Sequence, residues 1–412
     1  MGEEAAELFC PLEFRYGRPA VRRIFSRKLR LKRALRVEAA LAATEAELGM
    51  IPREAADAIE RAVRDDRVTL RRVDELEAEL RHDVMAIARA LGEASGEGGG
   101  WVHYGATSAD ITDSALALEH QEAMGLLRTG LTELARALMD LARRHRATAE
   151  VGRTHGQHAV PTSFGYKMAG AAAEILRQRA RLDEIAPRVA AGKMAGAVGT
   201  GASFGANALA VETGVMTRLG ITADEAPGQI VGRDRIAELT NFLALLAGTF
   251  ERLATEVRNL QRTEIGEASE PFDEASQVGS STMAQKRNPM ASENVTSLAR
   301  LVRALALPPL ENMALWHERD LTNSANERVV IPHALVLTDD MLGKLLALFR
   351  GLRVDPERMR ENLDSGGGAA MTEHLMLALS ARGVPRAEAH ELLRRLTRPG
   401  VPEHPLRERA RA

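Results

Sequence analysis

The 412 residues leave room for two or three domains and a large buried core, and 55 Lys+Arg against 57 Asp+Glu give no strong field that would point to nucleic acid as a partner. The single cysteine, Cys10, excludes an intramolecular disulfide and fits a reducing cytoplasm, the expected location. The acidic start Met1-Gly2-Glu3-Glu4 lacks the cationic and apolar regions of a signal peptide, and no apolar run approaches the roughly 20 residues that span a bilayer, so no membrane partner is expected.

Ala, Leu, Arg and Glu dominate, which favours helices packed closely through small side chains. Residues 1–20 read as irregular, broken by Pro11, Gly17 and Pro19, with Arg15-Tyr16 between them. Ser26 is placed to cap a helix running to Leu48, with Gly49 as its stop and Pro52 beyond. The basic stretch Arg27 to Arg33 on that helix reads as a solvated face. Further helices follow through residue 92, and Arg81-His82-Asp83 opens the last of them. Arg and Asp beside a histidine make this trio a candidate anion-binding and proton-tuning cluster, with capping or packing as the plain alternative.

Gly96-Glu97-Gly98-Gly99-Gly100 marks the first boundary, which gives a helical N-terminal domain over 1–98. Thr107, Ser108 and Asp110 can then cap the next helix; hydroxyls and N–H groups at such a turn can also hold a carboxylate. Leu127, Leu131, Leu134, Leu138 and Leu141 repeat at helical spacing. Ile236, Leu239, Leu243, Leu246, Phe250, Leu253, Val257 and Leu260 alternate steps of three and four throughout. Such seams are bundle core, so 99–349 is expected to be a central bundle of long helices. Helices of about 35 residues, roughly 50 Å, exceed what one subunit's core needs, which favours a bundle shared between subunits.

Polar loops interrupt the bundle. Gly152-Arg153-Thr154-His155-Gly156-Gln157-His158 ends at Pro161. No carboxylate or cysteine joins His155 and His158 locally, so no metal is expected, and His155 is better placed to give or take a proton. Gly199 to Gly205 fails as a dinucleotide loop, because its third glycine falls one position late and no strand precedes it. Gln229 follows Pro227-Gly228, just before the second seam. Trp316-His317-Glu318-Arg319-Asp320 leads to Ser324 and Arg328, whose arginines can clamp phosphate or carboxylate or form surface ion pairs. Residues 350–412 read as a small helical domain jointed at Gly366-Gly367-Gly368, with a Pro- and Arg-rich end from Arg398.

One stretch organises the whole: Gly279-Ser280-Ser281-Thr282-Met283-Ala284-Gln285-Lys286-Arg287-Asn288-Pro289. Its small residues make a mobile segment. Lys286, Arg287 and Asn288 bring cation and amide donors, and Pro289 suits the first turn of a helix running to Leu307, ended by Pro308-Pro309. The helix dipole and the basic pair would make an anion site, beside which a serine can become an alkoxide.

Taken together, Arg15-Tyr16, Arg81-His82-Asp83, Thr107-Ser108, Thr154-His155-Gly156-Gln157, the serine loop, and Arg319…Ser324…Arg328 resemble the adenylosuccinate lyases of the fumarase/aspartase superfamily. The resemblance runs from about residue 11 to residue 395. It implies an all-α, three-domain fold with a tetrameric helical core, shared active sites, a small nucleotide substrate and no cofactor. It implies cleavage of adenylosuccinate to AMP and fumarate, and of the succinyl-aminoimidazole-carboxamide nucleotide. In that family's pattern Ser280 is the general base and His155 the general acid. His82 assists them, with Arg81 and Asp83 beside it in the substrate site. Arg15, Tyr16, Arg319, Ser324 and Arg328 grip phosphate and nucleotide. Thr107, Ser108, Thr154, Gln229, Lys286 and Asn288 hold the succinyl part. The loop departs from the family's usual Met-Pro-His-Lys, with Ala284-Gln285 in place of Pro-His. Alternatives are a superfamily lyase or cycloisomerase acting on another succinyl-type or carboxymuconate substrate, and an inactive nucleotide-binding scaffold.

Overall fold

The computed structural model describes residues 9–397 and 406–409, so most of the stretch from Arg398 lies outside the described residues. The fold is all-α, with a short hairpin and two-residue strand pairs as its β-structure among the described residues. Packing divides the chain into two compact units. The first comprises Met1–Gly130, Gln178–Gly248 and Ser297–Gly343; the second comprises Leu131–Arg177, Thr249–Thr296 and Lys344–Ala412. The long helices Ser108–Arg144, Phe164–Val189, Asp234–Leu260 and Ser324–Gly351 contribute residues to both.

Both heptad seams are core. Leu127 through Leu141 and Ile236 through Leu260 are buried at every seam position named above. The first of these helices has 37 residues, about 55 Å of rise. In the first unit, Val37, Leu41, Ile111, Leu118, Val211 and Val215 join one cluster, and Leu35, Ile59, Leu76 and Leu91 join another. Ser26 caps the helix Arg27–Glu47 through its hydroxyl, which accepts from Leu29 N–H at 3.4 Å, and Gly49 ends it at φ 69°.

Several local expectations are corrected. Pro11 and Pro19 are not breakers: each occupies the first position of a short helix, Pro11–Phe14 and Pro19–Ile24, where a missing N–H does no harm. The basic face of Arg27–Glu47 is not simply solvated. Arg33 is buried and donates to Ile24 O at 2.7 Å, and Arg30 meets Glu119 through two bonds at 3.0 and 3.1 Å. Pro289 precedes the helix Met290–Ala304 instead of standing in its first turn, and Pro308-Pro309 open the next short helix, Leu307–Glu311. The Gly152–His158 loop is a β-hairpin, treated below.

Candidate active site

The second unit carries the serine loop. Ser280 Oγ accepts two backbone N–H groups, from Thr282 at 3.3 Å and Met283 at 3.1 Å. Two donors on one hydroxyl oxygen favour its negative form. The loop closes tightly at its ends. Asn288 Nδ2 donates to Gly279 O at 3.2 Å, and a Cβ on Gly279 would fall 2.2 Å from Lys286 O, so only glycine fits there. Gln261 fastens both flanks: its Oε1 accepts from Glu270 N–H, and its Nε2 donates to Arg287 O, each at 2.9 Å. Lys286 is exposed.

The anion site expected at the following helix start is already filled. Glu270 accepts Ala291 N–H at 3.1 Å and Ser292 N–H at 2.7 Å, so the protein's own carboxylate caps Met290–Ala304. Arg287 is likewise engaged. It donates to Glu274 at 2.9 Å and lies 4.7 Å from the centre of the Phe272 ring. That leaves Lys286 as the cation of this loop that is open to a ligand.

The hairpin pairs β1, Ala149–Thr154, with β2, Gln157–Ser163. Thr154 faces Gln157 across a two-residue turn, His155-Gly156. Both turn residues have positive φ, 54° and 74°, the requirement of a I′ hairpin turn. A histidine there carries roughly 1–2 kcal/mol of backbone strain, which the hairpin ladder overcomes. His155 and Thr154 are exposed at the tip. Among the described residues no hydrogen bond joins His155 to Ser280. Below the tip, Arg153 grips Glu267, and fully buried Glu150 is pushed up to about 7 by burial, against the pull of Lys167 at 3.6 Å.

The first unit carries the remaining candidates. His82 caps the helix Asp83–Ser95: its Nδ1 accepts Met85 N–H at 3.3 Å. Neutral His82 therefore bears its proton on Nε2 and offers a donor outward. Arg81, in the left-handed region at φ 53°, ends the preceding helix. Asp83 accepts from Arg328 at 2.9 Å, and Arg319 donates to Gln229 Oε1 at 3.1 Å while its buried Nε has no hydrogen-bond partner. Ser324 begins the helix that carries Arg328. Thr107 and Ser108 stand at the start of Ser108–Arg144, half-buried. Arg15 is exposed and Tyr16 half-buried, just past the helix Pro11–Phe14. The structure thus pairs Asp83 with Arg328 and Gln229 with Arg319 within this unit.

Sequence reasoning missed His103. It lies four residues before Thr107 at φ 63°, with Nδ1 2.7 Å from buried Glu38. Burial lowers its pKa, but the bonded Glu38 carboxylate more than reverses this and leaves the imidazole above its ordinary value. The only signal in the chain was its place before a capping turn; the partner, 65 residues away, was not visible.

Known proteins match the chain over nearly its whole length. The lyase family profile matches residues 13–304. The chain is 49% identical over 386 residues to adenylosuccinate lyase of Pyrococcus abyssi, covering 94% of this chain and 86% of that protein. Among solved structures, the fumarate lyase of Mesorhizobium sp. BNC1 superposes with a TM-score of 0.87 at 33% identity, covering 96% of this chain and 89% of that one. The 3-carboxy-cis,cis-muconate lactonizing enzyme of Pseudomonas putida superposes with a TM-score of 0.85 at 34% identity, covering 95% and 88%. With 49% identity to an adenylosuccinate lyase over 94% of its length, this chain belongs to the adenylosuccinate lyase family.

Proposed function

We propose that the chain cleaves adenylosuccinate to AMP and fumarate, and succinyl-aminoimidazole-carboxamide ribonucleotide (SAICAR) to its carboxamide product (AICAR) and fumarate, in purine synthesis. The observation that carries this reading is the Ser280 hydroxyl, held by two amide N–H groups in a loop that also presents Lys286. β-Elimination needs a base for the proton beside a carboxylate. Ser280 takes that proton; the C–H electron pair first moves onto the carboxylate as an aci-carboxylate, then returns to form the new C=C bond as the C–N bond breaks. His155 delivers a proton to the departing nitrogen, and exposure at the hairpin tip lets it reach a ligand. The intermediate carries extra negative charge on the carboxylate, which Lys286, Asn288 and backbone N–H groups are suited to hold.

Arg15, Tyr16, Arg319, Ser324 and Arg328 take the phosphate and nucleotide. Thr107, Ser108, Thr154 and Gln229 take the succinyl part, with Arg81, His82 and Asp83 beside them. The carboxymuconate alternative is less well supported: identity to the Pseudomonas putida lactonizing enzyme is 34%, against 49% to an adenylosuccinate lyase. In this reading the protein works in the cytoplasm as a homotetramer with three domains per chain, 1–98, 99–349 and 350–412, and sites drawing on three subunits. No helix among the described residues is long and apolar enough to cross a membrane. Incubation with each nucleotide, followed by chromatography for equimolar fumarate, tests the activity; light scattering of the purified protein tests the assembly.

A further inference from the structure

Asp110 is fully buried in the first turn of Ser108–Arg144, and its contacts come from the turn that carries Thr107 and Ser108 and from the Lys193–Gly196 segment. Its Oδ2 accepts Thr107 N–H at 2.8 Å and Gly196 N–H at 3.1 Å. Its Oδ1 accepts Ala195 N–H at 3.0 Å and the ammonium of Lys193, a side chain as completely buried as its own. Lys193 is held along its backbone too. Ser114 Oγ donates to its carbonyl at 3.0 Å and accepts its N–H at 3.2 Å. One residue beyond Gly196, Ala197 O accepts from Gln229 Nε2 at 3.0 Å, and Gln229 in turn accepts from Arg319.

A carboxylate alone can serve four such donors. An amide in its place would turn its own N–H₂ toward them, and a lone buried ammonium would be left without compensation. The pair touches no solvent, so surface solubility does not explain it.

We propose that Asp110 and Lys193 are a positioning pair for the dicarboxylate half of the substrate. They fix the Thr107–Ser108 turn against the Ala195–Ala197 segment and, through the Ala197 carbonyl, fix the Gln229 amide. The inference rests on the lyase reading, because it assigns Thr107, Ser108 and Gln229 to the succinyl part.

The test compares wild type with Lys193→Met, Asp110→Asn and the double variant Asp110→Asn/Lys193→Met. The readouts are kcat and KM on adenylosuccinate, inhibition constants of fumarate and of AMP, and Tm. The expected result is a tenfold or greater loss of fumarate affinity and a matching rise in KM. AMP affinity should change less than threefold, and kcat should fall less than KM rises. The double variant removes both charges and serves where a single one fails to fold. Unchanged fumarate affinity in a folded variant overturns the proposal. So does an equal loss for fumarate and AMP that follows Tm, since that marks a purely structural role. A wild-type protein with no turnover sinks the lyase reading; wild-type turnover with unmoved fumarate affinity in the variants sinks this inference alone.

Discussion

Arg153 and Glu267 lock together through two bonds, at 2.8 and 2.7 Å, two residues below His155. Glu267 is fully buried and also accepts from Asn362 Nδ2 at 2.8 Å, so the pair anchors β1 inside the second unit. Removing one partner of such a pair strands the other charge, which costs roughly 3–5 kcal/mol. Glu267→Ala is therefore expected to lose that much stability in denaturant unfolding and to lower turnover through a loosened hairpin. A loss below about 1 kcal/mol would show that the pair is no anchor.

The two ends of the substrate separate by residue. Arg15→Ala is expected to weaken AMP binding about tenfold or more while leaving fumarate inhibition nearly unchanged, as loss of a charged phosphate contact should. Titration of the variant with each product checks this. Equal losses for the two products would remove Arg15 from the phosphate site.

Two buried groups tilt stability against pH in opposite directions. Burial, with nearby Arg233, brings the His120 imidazole down to about 4, against an ordinary 6.5. Between those values the unfolded chain binds the extra proton, so this group's contribution is complete above 6.5 and is lost as pH falls toward 4, about 3 kcal/mol in all. Burial, with the Glu38 charge, pushes Glu45 up to about 8 from 4.5. Its contribution is complete below 4.5 and is lost as pH rises through 8. The two slopes oppose each other between 4.5 and 6.5, so Tm measured from pH 4 to 9 should hold there and fall from 6.5 to 8. His120→Leu is expected to make Tm fall already from pH 4.5, and Glu45→Gln to make it rise up to 6.5 and then stay level; slopes that do not change would assign the pH dependence to other groups.

Glu270 links loop to helix, and its loss should be felt in both. Glu270→Ala is expected to cost about 1 kcal/mol of stability, the worth of a helix cap, and to lower kcat more than that loss explains by freeing the Arg287–Asn288 end of the serine loop. Thermal melts and steady-state kinetics on the same preparation decide it. A normal kcat would separate the cap from catalysis.

The seams from Leu127 to Leu141 and Ile236 to Leu260 were legible because a helix repeats its core face every three or four residues, and Ser26 and Gly49 because caps are local. The hairpin was not. Its residues are polar and mostly exposed, so no alternation of apolar and polar side chains marked Ala149–Ser163 as strands. The prolines at 11 and 19 misled because the same fixed φ that breaks a helix also starts one. What fills a helix end was hidden as well: Glu270 reaches Ala291 and Ser292 from 21 and 22 residues away. Lys193 and Glu38 were invisible for the same reason, since burial of a charged residue is decided by distant partners.

The most direct measurement mixes the purified protein with adenylosuccinate and follows AMP and fumarate by chromatography, beside Ser280→Ala. Equal amounts of both products from wild type, with turnover abolished in Ser280→Ala while the variant still binds substrate, is the expected result. Near-normal turnover in Ser280→Ala, or no products from wild type with either nucleotide, would contradict the base assignment or the lyase reading respectively.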